Sequence, residues 1–292
     1  MPELPEIEAY LHALRARIAG RELRRVRVRS ISVLKTYDPP VEAVSGAVVD
    51  GVSRLGKRIV FDLDGGPHVV VHLMVAGRLK WLAIDAPIPS RSGLAAFDFA
   101  NGTVLLTEAG SKRKASIHIV DRTGLDALDP GGAEIADLSV SDFGERIGRE
   151  RHTIKRTLTD PRLFAGVGGA FADEILWAAQ LSPTQMTTNL DDDQVARLHT
   201  AAADVLEHWT RVRIAETGEG FPAKVTAFHP DMAVHGKYGD PCPACGAPIQ
   251  RIVHVGRETN YCPECQTGGR ILADRALSRL LKGDWPRHLD ET

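Results

Sequence analysis

The chain has 292 residues, of which 43% are apolar and 25% are charged, and its formal net charge is −2. No apolar run approaches the roughly 20 residues needed to cross a bilayer, which excludes a membrane-spanning protein and predicts no membrane partner. The balanced charge argues against a protein that coats nucleic acid without specificity, although a localised basic face stays possible. We expect an intracellular protein, in which four cysteines are metal ligands rather than disulfides.

The chain begins with the stretch Met1-Pro2-Glu3-Leu4-Pro5-Glu6. Methionine before proline is normally removed, which would leave the secondary amine of Pro2 at the terminus. An α-amino group titrates at roughly pH 7.7 to 8.0, so part of it is an unprotonated nucleophile near neutrality. Attack on an aldehyde-like carbon would form an iminium, and Glu3 and Glu6 could shuttle protons.

The same stretch also predicts an ordinary helix start. Pro5 suits the first helical position and Glu6 suits the first turn. The helix would carry an apolar stripe of Ile7, Leu11, Leu14 and Ile18. We expect this helix, and the motif alone does not choose between a structural and a catalytic role.

The next part of the chain has a strand pattern. Residues 21–29 alternate between charged and apolar side chains, and short runs separated by Gly, Pro and Asn follow at 59–63, 69–73, 79–82 and 104–107. Such spacing is typical of an antiparallel sandwich or barrel. The pattern stops in an acidic linker at 121–132.

From Ser141 the apolar period becomes helical, with helices predicted at 143–147, 153–158, 170–179 and 192–211. Glycines in the stretch Gly166-Val-Gly-Gly169 precede the third of these helices. Because a helix start exposes unpaired N–H groups, such a turn can hold a phosphate. A plain tight turn explains these glycines equally well.

Two C-x2-C motifs lie near the end of the chain, on either side of residues 246–261. Four thiolates held in a tetrahedron are what a closed structural zinc site requires, so we predict one Zn²⁺. Two strands, at 248–255 and 258–261, would form a hairpin with Gly256 and Arg257 at its turn. The predicted zinc ligands are Cys242, Cys245, Cys262 and Cys265.

The Pro-Glu-Leu-Pro-Glu start, the Gly-Val-Gly-Gly turn before a helix, and the Gly-Arg-Glu-Thr hairpin between two C-x2-C motifs together resemble the formamidopyrimidine-DNA glycosylase / endonuclease VIII family. The resemblance runs from Pro2 to about Gln266. It implies an α+β multidomain protein with an N-terminal antiparallel β-sandwich and leading helix, a helix-two-turns-helix domain and a C-terminal zinc ribbon. It also implies a bifunctional DNA glycosylase and AP lyase of base excision repair, which works through a proline Schiff base and β,δ-elimination.

The resemblance assigns roles residue by residue. Pro2 resembles the nucleophile, and Glu3 resembles the carboxylate that protonates the sugar ring oxygen. Glu6 matches a second acid that faces the DNA. Lys57 and Arg257 resemble the cations that contact phosphates around the extruded nucleotide.

Three departures from the family pattern fall on predicted DNA-contact residues. Gly169 stands where the family usually has Asn. The methionine of the family's His-Leu-Gly-Met-Ser-Gly stretch is one position early, at Met74, so either Met74 or Val75 would face the vacated base stack. The loop at 110–116 offers Lys112 and Arg113 but no aromatic side chain.

These features predict a catalytic domain at 1–125, a helical DNA-binding domain at 126–230, a zinc ribbon at 231–268 and an extension at 269–292, which would pack on the body or contact DNA or a partner. We expect a cytoplasmic, nucleoid-associated monomer whose partner is double-stranded DNA with a damaged base or an abasic site. Two alternatives remain: a protein that recognises abasic or distorted DNA without excising bases, either non-catalytic or with lyase activity alone, and a zinc-ribbon protein that binds RNA or another protein.

Overall fold

The computed structural model describes residues 1–110, 112–223, 225–226, 228–281 and 286–289. The chain divides into two compact units. The first contains Met1–Pro130 and Trp209–Thr226, and the second contains Gly131–His208 and Ala227–Thr292. Among the described residues, no helix has both the length and the apolar character that crossing a membrane requires.

The first unit opens with helix α1, Leu4–Ile18, so the predicted leading helix is confirmed. The helix begins one residue before Pro5, which places Glu3 at the N-cap and Glu6 at the third helical position. Its predicted apolar stripe is buried completely. This burial ties the start of the chain to the core of the unit.

Two four-stranded antiparallel sheets follow, with the strand orders β1-β6-β7-β5 and β2-β3-β4-β8. The strands are β1 Arg25–Val28, β2 Val49–Leu55, β3 Arg58–Leu63, β4 His68–His72, β5 Gly77–Leu82, β6 Gly93–Phe99, β7 Gly102–Glu108 and β8 Ser116–Val120. Side chains of both sheets and of α1 share one buried apolar cluster. In it, the rings of Phe61 and Phe97 meet edge to face across the sheets, with centroids 5.4 Å apart. The predicted β-sandwich is therefore confirmed.

Three strands, β2, β6 and β8, were missed by the sequence pattern. Strand β6 contains Gly93, Ala95 and Ala96, which are residue types with little preference for strands. Strand β7 is buried just as completely, but its continuous apolar run Val104-Leu-Leu106 revealed it. The linker predicted at 121–132 is also wrong in part, since it contains helix α2, Arg122–Leu128, capped by Asp121, whose side chain accepts a hydrogen bond from the Gly124 N–H at 2.7 Å.

The second unit contains several helices, which are followed along the chain by the zinc ribbon. Its helices are α3 Val140–Gly148, α4 Ile154–Leu158, α5 Gly169–Ala178 and α6 Asp192–Thr217. Helix α6 runs beyond its predicted end at residue 211, and from Trp209 onward it belongs to the first unit. These helices confirm the predicted helical module.

A two-stranded hairpin, β9 Gln250–His254 and β10 Arg257–Tyr261, and the short helix α7, Pro263–Thr267, complete the ribbon. The extension then packs on this hairpin. Asp274 is buried and accepts a hydrogen bond from the Val253 N–H at 2.9 Å, and the Leu272 N–H donates to the Tyr261 hydroxyl at 2.7 Å. Helix α8, Arg275–Leu281, follows, and Leu280 on it is 77% exposed. Of the predicted extension, residues 282–285 and 290–292 lie outside the described residues.

Candidate functional site

Two carboxylic acids are buried at the start of α1. Glu3 and Glu6 are 4% and 2% exposed, and the Glu3 N–H donates a hydrogen bond to Oε2 of Glu6 at 2.9 Å. Burial raises the pKa of Glu6 to about 7, and the charge of Glu3 acts in the same direction. Glu6 therefore changes its charge near neutral pH, one helical turn from the predicted nucleophile.

The amino terminus belongs to the same electrostatic cluster. Burial lowers the pKa of the Met1 amino group below 8.0, while the negative charges of Glu3 and Glu6 raise it. The positive charges of Arg78 and Lys57 lower it again. A lowered pKa increases the fraction of the Met1 amine that is unprotonated at neutral pH. In the chain without Met1, the terminal amine would be that of Pro2.

Lys57 follows Gly56, whose φ of +58° makes the tight turn between β2 and β3. Burial lowers the pKa of Lys57, and the charges of Glu3 and Glu6 oppose this effect. The fold therefore brings Lys57 to the two acids, although these residues are far apart along the chain. Of the predicted site, Pro2, Glu3, Glu6 and Lys57 lie together in the first unit.

Arg213 joins this cluster and was missed by sequence reasoning. Its Nη2 lies 3.4 Å from Oε1 of Glu6, and both side chains are almost fully buried. The same Nη2 donates to the Thr226 carbonyl at 2.9 Å, and Nη1 donates to the Glu216 carboxylate at 3.2 Å. Nothing in a helical run of the sequence marks one arginine as the partner of an acid near residue 6.

The turn after β4 carries Met74. Met74 has a φ of +53° and is partly buried, whereas Val75 is 64% exposed. The Arg78 guanidinium braces the turn by donating to the carbonyls of Val75 at 3.1 Å and Gly77 at 2.7 Å. Val75 is therefore the more exposed apolar side chain of this turn.

The buried side chain of Glu108 stabilises the loop that carries Lys112 and Arg113. Oε2 of Glu108 accepts hydrogen bonds from the N–H groups of Lys114 and Ala115 at 2.8 and 2.9 Å. Lys112 and Arg113 themselves are exposed, and Arg113 donates to the Arg91 carbonyl. Ser111, in the same loop, lies outside the described residues.

In the second unit, Gly169 is the first residue of α5 and is exposed, with Gly168 at the N-cap. A Cβ added to Gly169 would meet no atom within 4 Å. The absence of a side chain there is therefore not imposed by neighbouring atoms.

Arg257 is exposed and opens β10, where it pairs with His254. The turn consists of Val255 and Gly256, with φ of +49° and +71°. Two consecutive positive φ values suit a tight hairpin turn. The prediction that Gly256 and Arg257 form the turn was wrong by one residue, although Arg257 still lies next to it.

The four cysteines form a compact cluster, with all Sγ atoms within 4.8 Å of one another. The Sγ atoms of Cys245 and Cys262 are 3.4 Å apart, and those of Cys242 and Cys265 are 3.9 Å apart. Zinc–sulfur bonds of about 2.3 Å in a tetrahedron place sulfurs about 3.8 Å apart, so the cluster fits one structural zinc ion. Nε1 of Trp177 donates to Sγ of Cys242 at 3.4 Å and helps to orient that ligand.

A β-sandwich with buried acids at its leading helix, a helical module and a four-cysteine ribbon define the class of zinc-ribbon DNA glycosylases. Family profiles match this order: the formamidopyrimidine-DNA glycosylase N-terminal domain at residues 1–113, the H2TH domain of the same enzyme at 128–218, and a zinc finger found in that enzyme and in IleRS at 239–268. The chain belongs to the formamidopyrimidine-DNA glycosylase family.

Its relatives agree with this assignment. The chain is 32% identical over 279 residues to the formamidopyrimidine-DNA glycosylase of Herpetosiphon aurantiacus, covering 91% of this chain and all of the relative. It is 31% identical over 280 residues to that of Symbiobacterium thermophilum, covering 91% of this chain and 89% of the relative.

Crystal structures of the Lactococcus lactis enzyme have the same fold. One, bound non-covalently to DNA with an abasic site, has a TM-score of 0.80 at 25% identity and covers 91% of this chain and 99% of its own. Another is a point mutant of that enzyme in complex with DNA containing Fapy-dG. It also has a TM-score of 0.80 at 25% identity, and the match covers 91% of this chain and 100% of the mutant's.

Proposed function

We propose that this protein is a bifunctional DNA glycosylase and AP lyase of base excision repair, acting on double-stranded DNA with a damaged base or an abasic site. The observation that carries the proposal is the buried cluster of Glu3, Glu6 and Lys57 at the amino terminus. Glu3 and Glu6 also cap the start of α1, but capping does not require a lysine, and a group of ionisable side chains with shifted pKa values is typical of a catalytic site. A cytoplasmic, nucleoid-associated location follows from a chromosomal DNA substrate.

In this proposal the Pro2 amine attacks C1′ of the extruded nucleotide, and the glycosidic bond breaks as the base leaves with its electron pair and takes up a proton. The sugar ring opens when its oxygen is protonated, which we assign to Glu3, and an iminium cation remains on Pro2. Loss of the C2′ proton then breaks the C3′–O bond, and loss of the C4′ proton in a second elimination breaks the C5′–O bond. The iminium serves as the electron sink for both eliminations.

The remaining predicted residues have positioning roles in the proposal. Lys57 and Arg257 bind phosphates beside the extruded nucleotide, and the N–H groups at Gly169 bind the DNA backbone at the start of α5. Met74, Lys112 and Arg113 occupy the loops that face the gap left by the extruded base. Zinc, when bound, holds the hairpin of β9 and β10 rigid.

We also keep the predicted domain division, 1–125, 126–230, 231–268 and 269–292, as part of the proposal. It assigns the nucleophile, the acids and Lys57 to the first domain, the N–H groups at Gly169 to the second and Arg257 to the third.

Borohydride trapping on duplex DNA with one abasic site tests the proposal. We expect the Met-trimmed protein to form a covalent adduct that is reduced by at least tenfold in Pro2→Gly. A protein with extra residues before Pro2, in which the amine is displaced, is the matched control and should form none. If wild-type protein binds this DNA without forming an adduct, the protein recognises damage without turnover.

A further inference from the structure

Arg213 is a buried cation in the last turns of α6, and it approaches the acid cluster from a part of the chain remote from α1. Its side chain is 8% exposed and that of Glu6 is 1% exposed. The Arg213 guanidinium also lies 5.8 Å from the centre of the Trp209 ring. Together with its hydrogen bonds to Thr226 and Glu216, these contacts leave the guanidinium little freedom to move.

The contact between Arg213 and Glu6 acts through charge rather than through a hydrogen bond. Among the described residues, Oε1 of Glu6 and Nε of Arg213 have no hydrogen-bond partner. The nearest approach, 3.4 Å from Nη2 to Oε1, therefore contributes Coulomb attraction in a site of low polarity. Such a cation favours the ionised form of a buried carboxylate, because it offsets part of the lost hydration.

Several other groups act on the Glu6 carboxylate. Glu3 repels its negative charge, and the Glu3 N–H donates to its second oxygen. The Glu6 carboxylate also interacts electrostatically with the Met1 amine, with Lys57 and with the Tyr10 hydroxyl. Glu216 accepts a hydrogen bond from the same Arg213 guanidinium that faces Glu6. In the proposed reaction the amine must be neutral to attack, and Lys57 pairs with a phosphate. Arg213, by contrast, takes no part in the reaction and stays beside Glu6 throughout.

We propose that Arg213 is a positioning residue that favours the ionised form of Glu6 beside Pro2. This inference rests on the proposed function. The ionised carboxylate keeps accepting the Glu3 N–H, which fixes the Pro2–Glu3 peptide, and its charge stabilises the iminium cation after attack. Without Arg213, a larger fraction of Glu6 is protonated at neutral pH, and the iminium cation loses part of this stabilisation.

The first test is the rate of borohydride trapping on abasic-site DNA between pH 5 and 9. In Arg213→Met we expect the acid limb of the pH–rate profile to move up by about one pH unit, which is a tenfold lower rate on that limb and a near wild-type rate at pH 9. Arg213→Lys keeps the positive charge, so its profile should lie much closer to that of wild type. Arg211→Met, on the exposed side of the same helix, is the matched control and should leave the profile unchanged.

A merely structural role gives a different result, an equal loss of rate at every pH, and that result overturns the inference. In a Glu6→Gln background, Arg213→Met should move the acid limb no further. If Arg213→Met still moves the acid limb in that background, Glu6 is not the group through which Arg213 acts.

The second test needs no activity. NMR titration of the ¹³C-labelled Glu6 carboxyl in the free protein should give a higher midpoint in Arg213→Lys than in wild type, and a higher one still in Arg213→Met. An unchanged midpoint contradicts the inference even if the enzyme is active. Conversely, a shifted midpoint in a protein that forms no adduct supports the charge coupling while the proposed function fails.

Discussion

At the scale of single residues, burial raises the pKa of Glu6 to a value near neutrality. A free glutamate has a pKa near 4.5, whereas the folded protein raises the pKa of Glu6 to about 7 because the side chain is removed from water. Between these values the unfolded chain has lost the proton that the folded chain still binds. Ionisation of Glu6 therefore opposes folding as the pH rises.

Glu6→Gln tests this linkage. Stability from Glu6 is fully present below about pH 4.5 and is lost as the pH rises through 7, which amounts to about 3 kcal/mol. Urea denaturation measures the free energy of unfolding at each pH. Between pH 4.5 and 8, we expect this free energy to fall in wild type by about 3 kcal/mol more than it falls in Glu6→Gln. Glu42→Gln, at an exposed position, is the control. Parallel pH curves for wild type and Glu6→Gln would contradict the prediction.

Gly169 lies in open space at the start of α5, so a side chain can be added there without disturbing the fold. Because a Cβ there meets no atom within 4 Å, Gly169→Asn should be accommodated. Asparagine would add a hydrogen-bonding side chain at the N-terminus of α5, so we expect severalfold tighter binding of abasic-site DNA in a fluorescence anisotropy titration. Gly148→Asn, at the end of α3, adds the same side chain at another open position and should leave binding unchanged. Equal affinities of wild type and Gly169→Asn would count against a DNA contact at Gly169.

At the scale of elements, one buried ion pair joins helix α4, helix α5 and strand β10. Nζ of Lys155 donates to Oδ1 of Asp173 at 2.6 Å and to the Thr259 hydroxyl at 2.7 Å. Oδ2 of the same aspartate lies 2.9 Å from Nδ1 of His235 and accepts the Asn260 N–H at 3.2 Å. The helix that begins at Gly169 and the strand that begins at Arg257 are therefore fixed to each other within the second unit.

Lys155→Met should break this connection. It leaves Asp173, which is 0% exposed, without its cation, and breaking a buried pair costs about 3 kcal/mol. We expect a lower urea midpoint for unfolding and a larger loss of DNA binding than of trapping rate at saturating DNA. Arg156→Met, on the exposed side of α4, is the control. A stability equal to that of wild type would show that the pair is not a structural link.

At the scale of the whole molecule, the proposed function places phosphate contacts in both units, at Lys57 and at Arg257. Each contact releases counterions when DNA binds, so each contributes to the salt dependence of affinity. The net charge of −2 shows that DNA binding would rely on local cations rather than on overall attraction.

Lys57→Ala and Arg257→Ala should each lower the slope of log affinity against log salt by about 1 in magnitude, and the double variant by about 2. Fluorescence anisotropy at salt concentrations from about 50 to about 300 mM measures these slopes. Arg122→Ala, which removes a cation paired with Asp126 at 3.0 Å on the surface, is the matched control. A wild-type slope in either variant would remove that residue from the phosphate contacts.

The sequence by itself determined the features that are local or regular. The apolar stripe of α1, the strands with alternating faces, the helices after Ser141 and the C-x2-C pairs all follow from short-range spacing, and all are present in the structure. Strand β6 was missed because its glycine and alanines have little preference for strands. The turn was misplaced because valine rarely adopts the positive φ that Val255 has in the structure.

Only the tertiary structure decided which charges meet. Lys57 and Arg213 reach Glu6 through sheet register and the length of α6, and Lys155 meets Asp173 through helix packing. No periodicity encodes such pairs, because the partners lie far apart in sequence and every surface arginine or lysine is equally eligible until the chain folds. The pKa of Glu6 follows from the same cause, since it depends on the loss of water around the carboxylate and on the cations that folding brings to it.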